Sequence, residues 1–200
     1  MKKLFKTGTI VLCAIVTIGL TSCGKKQLTR DDIVKQNAEE YIKSKMNDPN
    51  SYEYVKLELI DSVLYSDNIE YRKDYFKHNI EYNQSSIEQQ ESYKTELPSL
   101  YDEQEIKDLN AEIEKSKRIL SKIDSIEAQM GDKKNEVASF TYIFSFRGNN
   151  ALGAKVMNEY IIQTTSAPDF KIINMTNDKN KVLLNPNGFP GYKEMIKENL

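Results

Sequence analysis

The chain has little of what enzymes and metal proteins are built from. Its 200 residues include no tryptophan, one histidine and two cysteines. With His78 as the lone imidazole, a catalytic zinc site would have to lean on carboxylates, which is unusual. No Gly-x-Ser-x-Gly elbow, glycine-rich phosphate loop or His-Glu-x-x-His occurs in it. A general base needs an orienting partner and a nucleophile within reach. His78 lies among Asp74, Lys77, Asn79 and Glu81, and spacing gives it neither, so it reads as an exposed helical position. Asn177-Asp178-Lys179-Asn180 offers oxygen atoms but lacks the alternating acids, central glycine and closing glutamate of a calcium loop. It reads as a solvated turn. Neighbouring acids such as Asp31/Asp32 and Glu39/Glu40 point about 100° apart on a helix and form no acid–base pair. The sequence therefore predicts no catalytic residue, no metal ligand and no cofactor: a protein that is not an enzyme.

A basic surface is missing too. The net charge is −2, and past the first six residues there is no polybasic stretch beyond Lys25-Lys26. Nucleic acid wants a basic patch or stripe, so it is not an expected partner.

What is present begins with a three-zone N-terminus. Lys2, Lys3 and Lys6 form a positive start, residues 7–20 are uncharged and mainly apolar, and Leu20-Thr21-Ser22-Cys23 follows. The apolar run suits a signal peptide and is short for a spanning helix, which needs about 20 such residues. The last four residues resemble the lipobox of bacterial lipoproteins. The resemblance implies that residues 1–22 are a cleaved signal peptide and that Cys23 carries lipid, diacylglycerol on sulfur and palmitate or another acyl chain on the freed amine. Two or three chains make a firm anchor, at about 0.8 kcal/mol per buried methylene. Cys13 then leaves with the leader, so the mature chain has neither free thiol nor disulfide. Residues 23–28 are a short lipidated linker, and five extended residues reach about 17 Å at most.

Residues 29–200 are enough for one domain with a real core. Thr29 with Asp32 three positions on looks like a helix N-cap. The spacing of Val34, Ala38, Tyr41, Ile42 and Lys45 predicts a helix to about Asn47, ended by Asp48-Pro49-Asn50. Residues 52–65 alternate, with Val55, Leu57, Leu59, Val63 and Tyr65 on one face, and predict a half-buried strand. Residues 67–130 then contain one proline, no glycine and dense Glu, Lys, Gln and Ser. Ile106, Leu109, Ile113, Leu120, Ile123 and Met130 keep a heptad seam broken by Ser116 and Glu127. Ile69, Phe76, Ile80 and Ile87 keep a weaker one, interrupted by Lys73, Asn83 and Gln90. Glu96-Leu97-Pro98-Ser99 divides the two halves, which predicts an antiparallel coiled-coil hairpin with arms of about 40 Å. It either projects from the domain or folds flat onto it, and its seam can close within one chain or between two.

From residue 136 the period returns to two. Ala138, Phe140, Tyr142, Phe144 and Phe146 make an aromatic face on residues 136–147, followed by strands at 155–165 and 170–176 and a short final helix. Consecutive strands with short connections pair antiparallel. The predicted class is α+β: an N-terminal helix on a four-stranded antiparallel sheet, resembling the cystatin-like arrangement, with the hairpin inserted between strands 1 and 2.

Two surfaces are candidates for binding. Tyr71, Tyr75 and Tyr82 lie near one side of the first hairpin arm, and tyrosine is enriched at protein interfaces. Phe140, Tyr142, Phe144 and Tyr160 either line an apolar pocket between helix and sheet or form plain core. Asp48-Pro49-Asn50-Ser51-Tyr52-Glu53-Tyr54-Val55 and Leu184-Asn185-Pro186-Asn187-Gly188-Phe189-Pro190-Gly191-Tyr192 resemble uncharacterised small lipoproteins of Bacteroidota, which have no agreed activity. In that phylum acidic residues after the lipidated cysteine direct surface export, and here Gly24-Lys25-Lys26-Gln27 is basic. The expected place is the cell envelope, on the outer membrane facing the periplasm. The expected role is contact with an envelope protein through the hairpin, the alternative being a small apolar or peptide ligand between helix and sheet.

Overall fold

The computed structural model describes residues 28–186 and 188–198; the expected leader, Cys23 and most of the linker lie outside the described residues. The elements run α1 (Arg30–Lys43), β1 (Glu53–Leu64), α2 (Tyr65–Glu96), α3 (Glu103–Met130), β2 (Val137–Asn149), β3 (Lys155–Thr165), β4 (Ile172–Thr176) and α4 (Tyr192–Lys197). The sheet has four antiparallel strands in the order β1-β2-β3-β4. The mixed helix-and-sheet class, the antiparallel sheet and the two long helices agree with the sequence reading.

Thr29 caps α1 as its spacing suggests. Its side chain accepts from Asp32 N at 3.2 Å, and the Asp32 carboxylate accepts from Thr29 N at 3.0 Å. The helix stops at Lys43, short of Asn47, where Ser44 Oγ donates to the Tyr41 carbonyl at 2.7 Å. Val34, Ala38 and Ile42 are buried against Phe140, Tyr142, Phe144, Phe146 and Ile162 to form the first core. Asn37 fastens the same helix to the turn before β4, donating to the Asp169 and Phe170 carbonyls at 2.9 Å each.

β1 departs most from expectation. Its register against β2 shifts at three places, between Tyr54 and Lys56, Leu59 and Asp61, and Val63 and Leu64. Each shift reverses the alternation on which the sequence reading relied. Leu57 and Leu59 stand opposite Phe144 and Tyr142 on the α1 side, whereas Val63 stands opposite Ser139 on the other side. The predicted single apolar face does not form. Val55, Leu59 and Ile60 are 38–48% exposed on this edge strand.

β1 passes into α2 with no loop between them. Tyr65 N donates to the Glu136 carbonyl at 3.1 Å, which prolongs the sheet ladder into the first helical residue. The Asp67 carboxylate accepts from Leu64 N at 2.8 Å, covering an amide at the helix start.

Burial sets an ordering in stability. Phe144→Ala empties a fully buried site and should cost about 3–5 kcal/mol. Val55→Ala lies in the same sheet but on the exposed strand, and should cost under about 1 kcal/mol. Urea unfolding of both variants checks this, and equal costs would show that β1 is part of the core.

Candidate functional site

The hairpin supplies the largest surface not used by the sheet. At 1.5 Å per residue its 32-residue and 28-residue helices extend about 48 and 42 Å. They face each other through Ile69, Phe76, Ile113, Ile119 and Ile123, all buried. Two of the polar residues that interrupt the heptads, Lys73 and Glu127, meet across the gap. Lys73 of α2 bonds Glu127 of α3 at 2.6 Å and Asp124 at 2.5 Å, and Lys134 reaches Glu127 at 2.8 Å. At the far end Gln90 is buried; its carbonyl accepts from Asp102 N at 3.0 Å and its amide donates to Glu105. Asp102 caps α3, accepting from Gln104 N at 2.8 Å and Glu105 N at 3.2 Å. Gly131, at φ 53°, ends that helix in a conformation side-chain-bearing residues seldom adopt.

The base of the hairpin has a third partner, which the sequence reading missed. Phe189 and Met195 from the C-terminal segment join Ile69, Phe76, Ile119 and Ile123 in a second core, flanked by Tyr65, Tyr192 and Ile196. The available signal was Met195 and Ile196 with Tyr192 on one short helix, set behind a turn-dense loop. Beyond that base the arms pack on each other rather than on the sheet.

Of the candidate tyrosines, Tyr71 is 42% exposed, Tyr75 52% and Tyr82 73%. Tyr75 packs edge-on against Phe76 with ring centres 5.1 Å apart, and Tyr71 faces the Arg72 guanidinium at 5.4 Å. Tyr82 stands farther out on the arm, past His78. His78 is exposed, with Nδ1 2.7 Å from the Asp74 carbonyl of its own helix.

Between pocket and core, the packing decides for core at Phe140, Tyr142 and Phe144. Phe140 is 9% exposed and Tyr142 and Phe144 are wholly buried, because α1 fills the space over them. Tyr142 donates to Asp31 at 3.4 Å, and burial pushes its hydroxyl up to about 12. Tyr160 is half-buried beside Phe146, with ring centres 6.1 Å apart. Phe140, Tyr142 and Phe144 are core, whereas Tyr160 stands at its edge and lines a cavity of about 340 Å³ with Tyr41, Met46 and Met175. Asp178 in the expected solvated turn caps a short helical turn, accepting from Asn180 N at 3.0 Å. Among the described residues no group of three or more His, Cys, Asp or Glu is placed to hold a metal ion. No helix among them is long and apolar enough to cross a membrane.

No family model, no curated protein and no solved structure matches this chain.

The ion cluster at the hairpin base makes a pH prediction. Hydrogen bonds from Lys134 and then Lys73 hold the Glu127 carboxyl down at about 2, against an ordinary value of 4.5. A depressed carboxylate adds stability that is complete above its ordinary value and is lost as pH falls through the depressed one. Glu127→Gln should therefore lower the melting temperature at neutral pH, and its deficit should shrink steadily below pH 4.5 toward 2. Thermal melts of parent and variant over that range are the check; a pH-independent gap would mean the pair adds nothing.

Proposed function

We propose that the chain is a non-enzymatic envelope lipoprotein, anchored through lipid on Cys23, that contacts a protein partner with its helical hairpin. The supporting observation is the way the arms are used up. Their apolar seam is closed within the chain and their base is closed by α4, yet Tyr75 and Tyr82 stay exposed on the outer surface. Tyrosine gives large contact area at small entropic cost, which suits a surface left outside both cores. A partner reading such a surface meets a polar, tyrosine-bearing helix face rather than a bare hydrophobic stripe. We read the α1-on-sheet portion as the cystatin-like arrangement and the hairpin as its insertion. The basic residues after Cys23 favour the periplasmic side of the outer membrane.

Two measurements test the reading. A photo-crosslinking residue replacing Tyr82 or Tyr75 in the full-length protein should capture one discrete envelope protein in cells. The same residue at Leu152, a 92% exposed position in the β2–β3 turn, should not. Capture from position 152 alone, or from no position, would remove the hairpin from the function. For the anchor, metabolic labelling with palmitate should mark the parent and leave Cys23→Ala unlabelled; a labelled variant would refute lipidation at that residue.

A further inference from the structure

A groove of about 930 Å³ lies where the start of α2, the β4 edge and the loop before α4 converge. Its wall carries Tyr65 and Tyr71 from α2, Phe189 and Tyr192 from the C-terminal segment, and Leu183 and Leu184 along the loop. Leu184 is 78% exposed and Leu183 46% exposed, although neither joins either core. Large apolar side chains set together on an open wall usually serve a contact.

The charge on the wall is one-sided. Arg72, Lys171 and Lys193 line it, against the single carboxylate of Glu194. Lys171 is occupied by Asp169 at 3.1 Å. Arg72 is different. Its guanidinium sits 5.0 Å from the Tyr192 ring centre and 5.4 Å from that of Tyr71, and none of the ion pairs among the described residues includes it. Two aromatic rings thus flank a planar cation that forms no ion pair with a carboxylate among the described residues. An arginine arranged this way presents a fork suited to an acidic group.

We propose that this groove binds a small organic acid: an aromatic or branched apolar body lying on Tyr71, Tyr192 and Leu184, with its acidic group on Arg72. The volume is within the range of small-molecule sites, about 300–1,000 Å³. The site is separate from the face of the aromatic strand that α1 covers, and it does not depend on the hairpin's contact with a partner.

Two fluorescent probes with nearly the same body test it, anilinonaphthalene sulfonate, an anion, and phenylnaphthylamine, its uncharged counterpart. Both cores draw their side chains from residues 33–196, so residues 29–200, made without the preceding segment, serve as the protein. The anionic probe should bind saturably, one molecule per chain, and more tightly than the neutral one. Arg72→Gln should weaken the anion about tenfold, the scale of one lost charge-assisted hydrogen bond, and leave the neutral probe unchanged. Leu184→Ser, at an exposed position that cannot unfold the domain, should weaken both probes. Leu59→Ser on the exposed β1 patch should weaken neither. The proposal is overturned if the neutral probe binds as tightly as the anion, if Leu184→Ser leaves both unchanged, or if Leu59→Ser is the variant that abolishes binding.

Discussion

The molecule depends on one rung of the β1–β2 ladder. Leu64 pairs with Val137, and the next backbone bond, from Tyr65 to Glu136, belongs to the residues that open and close the hairpin. The chain therefore leaves the sheet and re-enters it at the same level. Everything between must start and finish at one point, and two antiparallel helices of similar length satisfy that condition whatever their reach. Closure entropy rises only slowly with the length of the excursion, so long arms cost the sheet little. What they must do is hold each other. The buried isoleucines and Phe76 along the seam, with the Lys73–Glu127 bridge across it, meet that requirement.

Two separate cores follow from this plan. One lies between α1 and the sheet, and the other lies under the hairpin base with α4 as its lid. The second core explains why the C-terminal segment turns so sharply. Gly191, at φ 81°, redirects the backbone just before α4, which brings Met195 onto Ile119 and Ile123. Asn68 is buried at the same junction and donates to the Gly188 carbonyl at 2.6 Å, tying the loop to the first turn of α2. A polar side chain buried there fixes one position of the loop rather than adding much stability.

The sequence was legible where a single period governed a whole element. The alternation of Ala138 to Phe146 describes β2 because that strand is central, regular and covered on one face by α1. The N-cap at Thr29 was legible because capping is local chemistry among four residues. β1 was misread because bulges carry no signature in the alternation of Tyr54 to Tyr65, and an edge strand tolerates exposed Val55 and Ile60 on either face. The heptad breaks at Lys73, Gln90 and Glu127 looked like weaknesses one helix at a time. They become fastenings only when the opposite arm supplies their partners, and that is a tertiary fact. The choice between pocket and core for Phe140, Tyr142 and Phe144 stayed open for a similar reason: an apolar face read from one strand does not say what will lie on it.

α2 is the element in which these constraints meet. Its first residue prolongs the sheet ladder, Ile69 and Phe76 fill the second core, and Lys73 ties it to α3. That leaves one side of its first turns, with Tyr71 and Arg72, facing the C-terminal loop, and an outer side with Tyr75 and Tyr82 facing solvent. The seam and the second core account for the first set in full, and for the second only at their edges, as in Tyr75 against Phe76. Arg72 in particular could be replaced by a shorter polar residue without opening either core, since its contacts are the outer faces of Tyr71 and Tyr192. A charged side chain held between two rings costs rotamer freedom, about 2 kcal/mol for arginine, that no carboxylate among the described residues offsets. That cost falls along α2 and not in the sheet that carries it, where the aromatic side chains of β2 are taken up by the core.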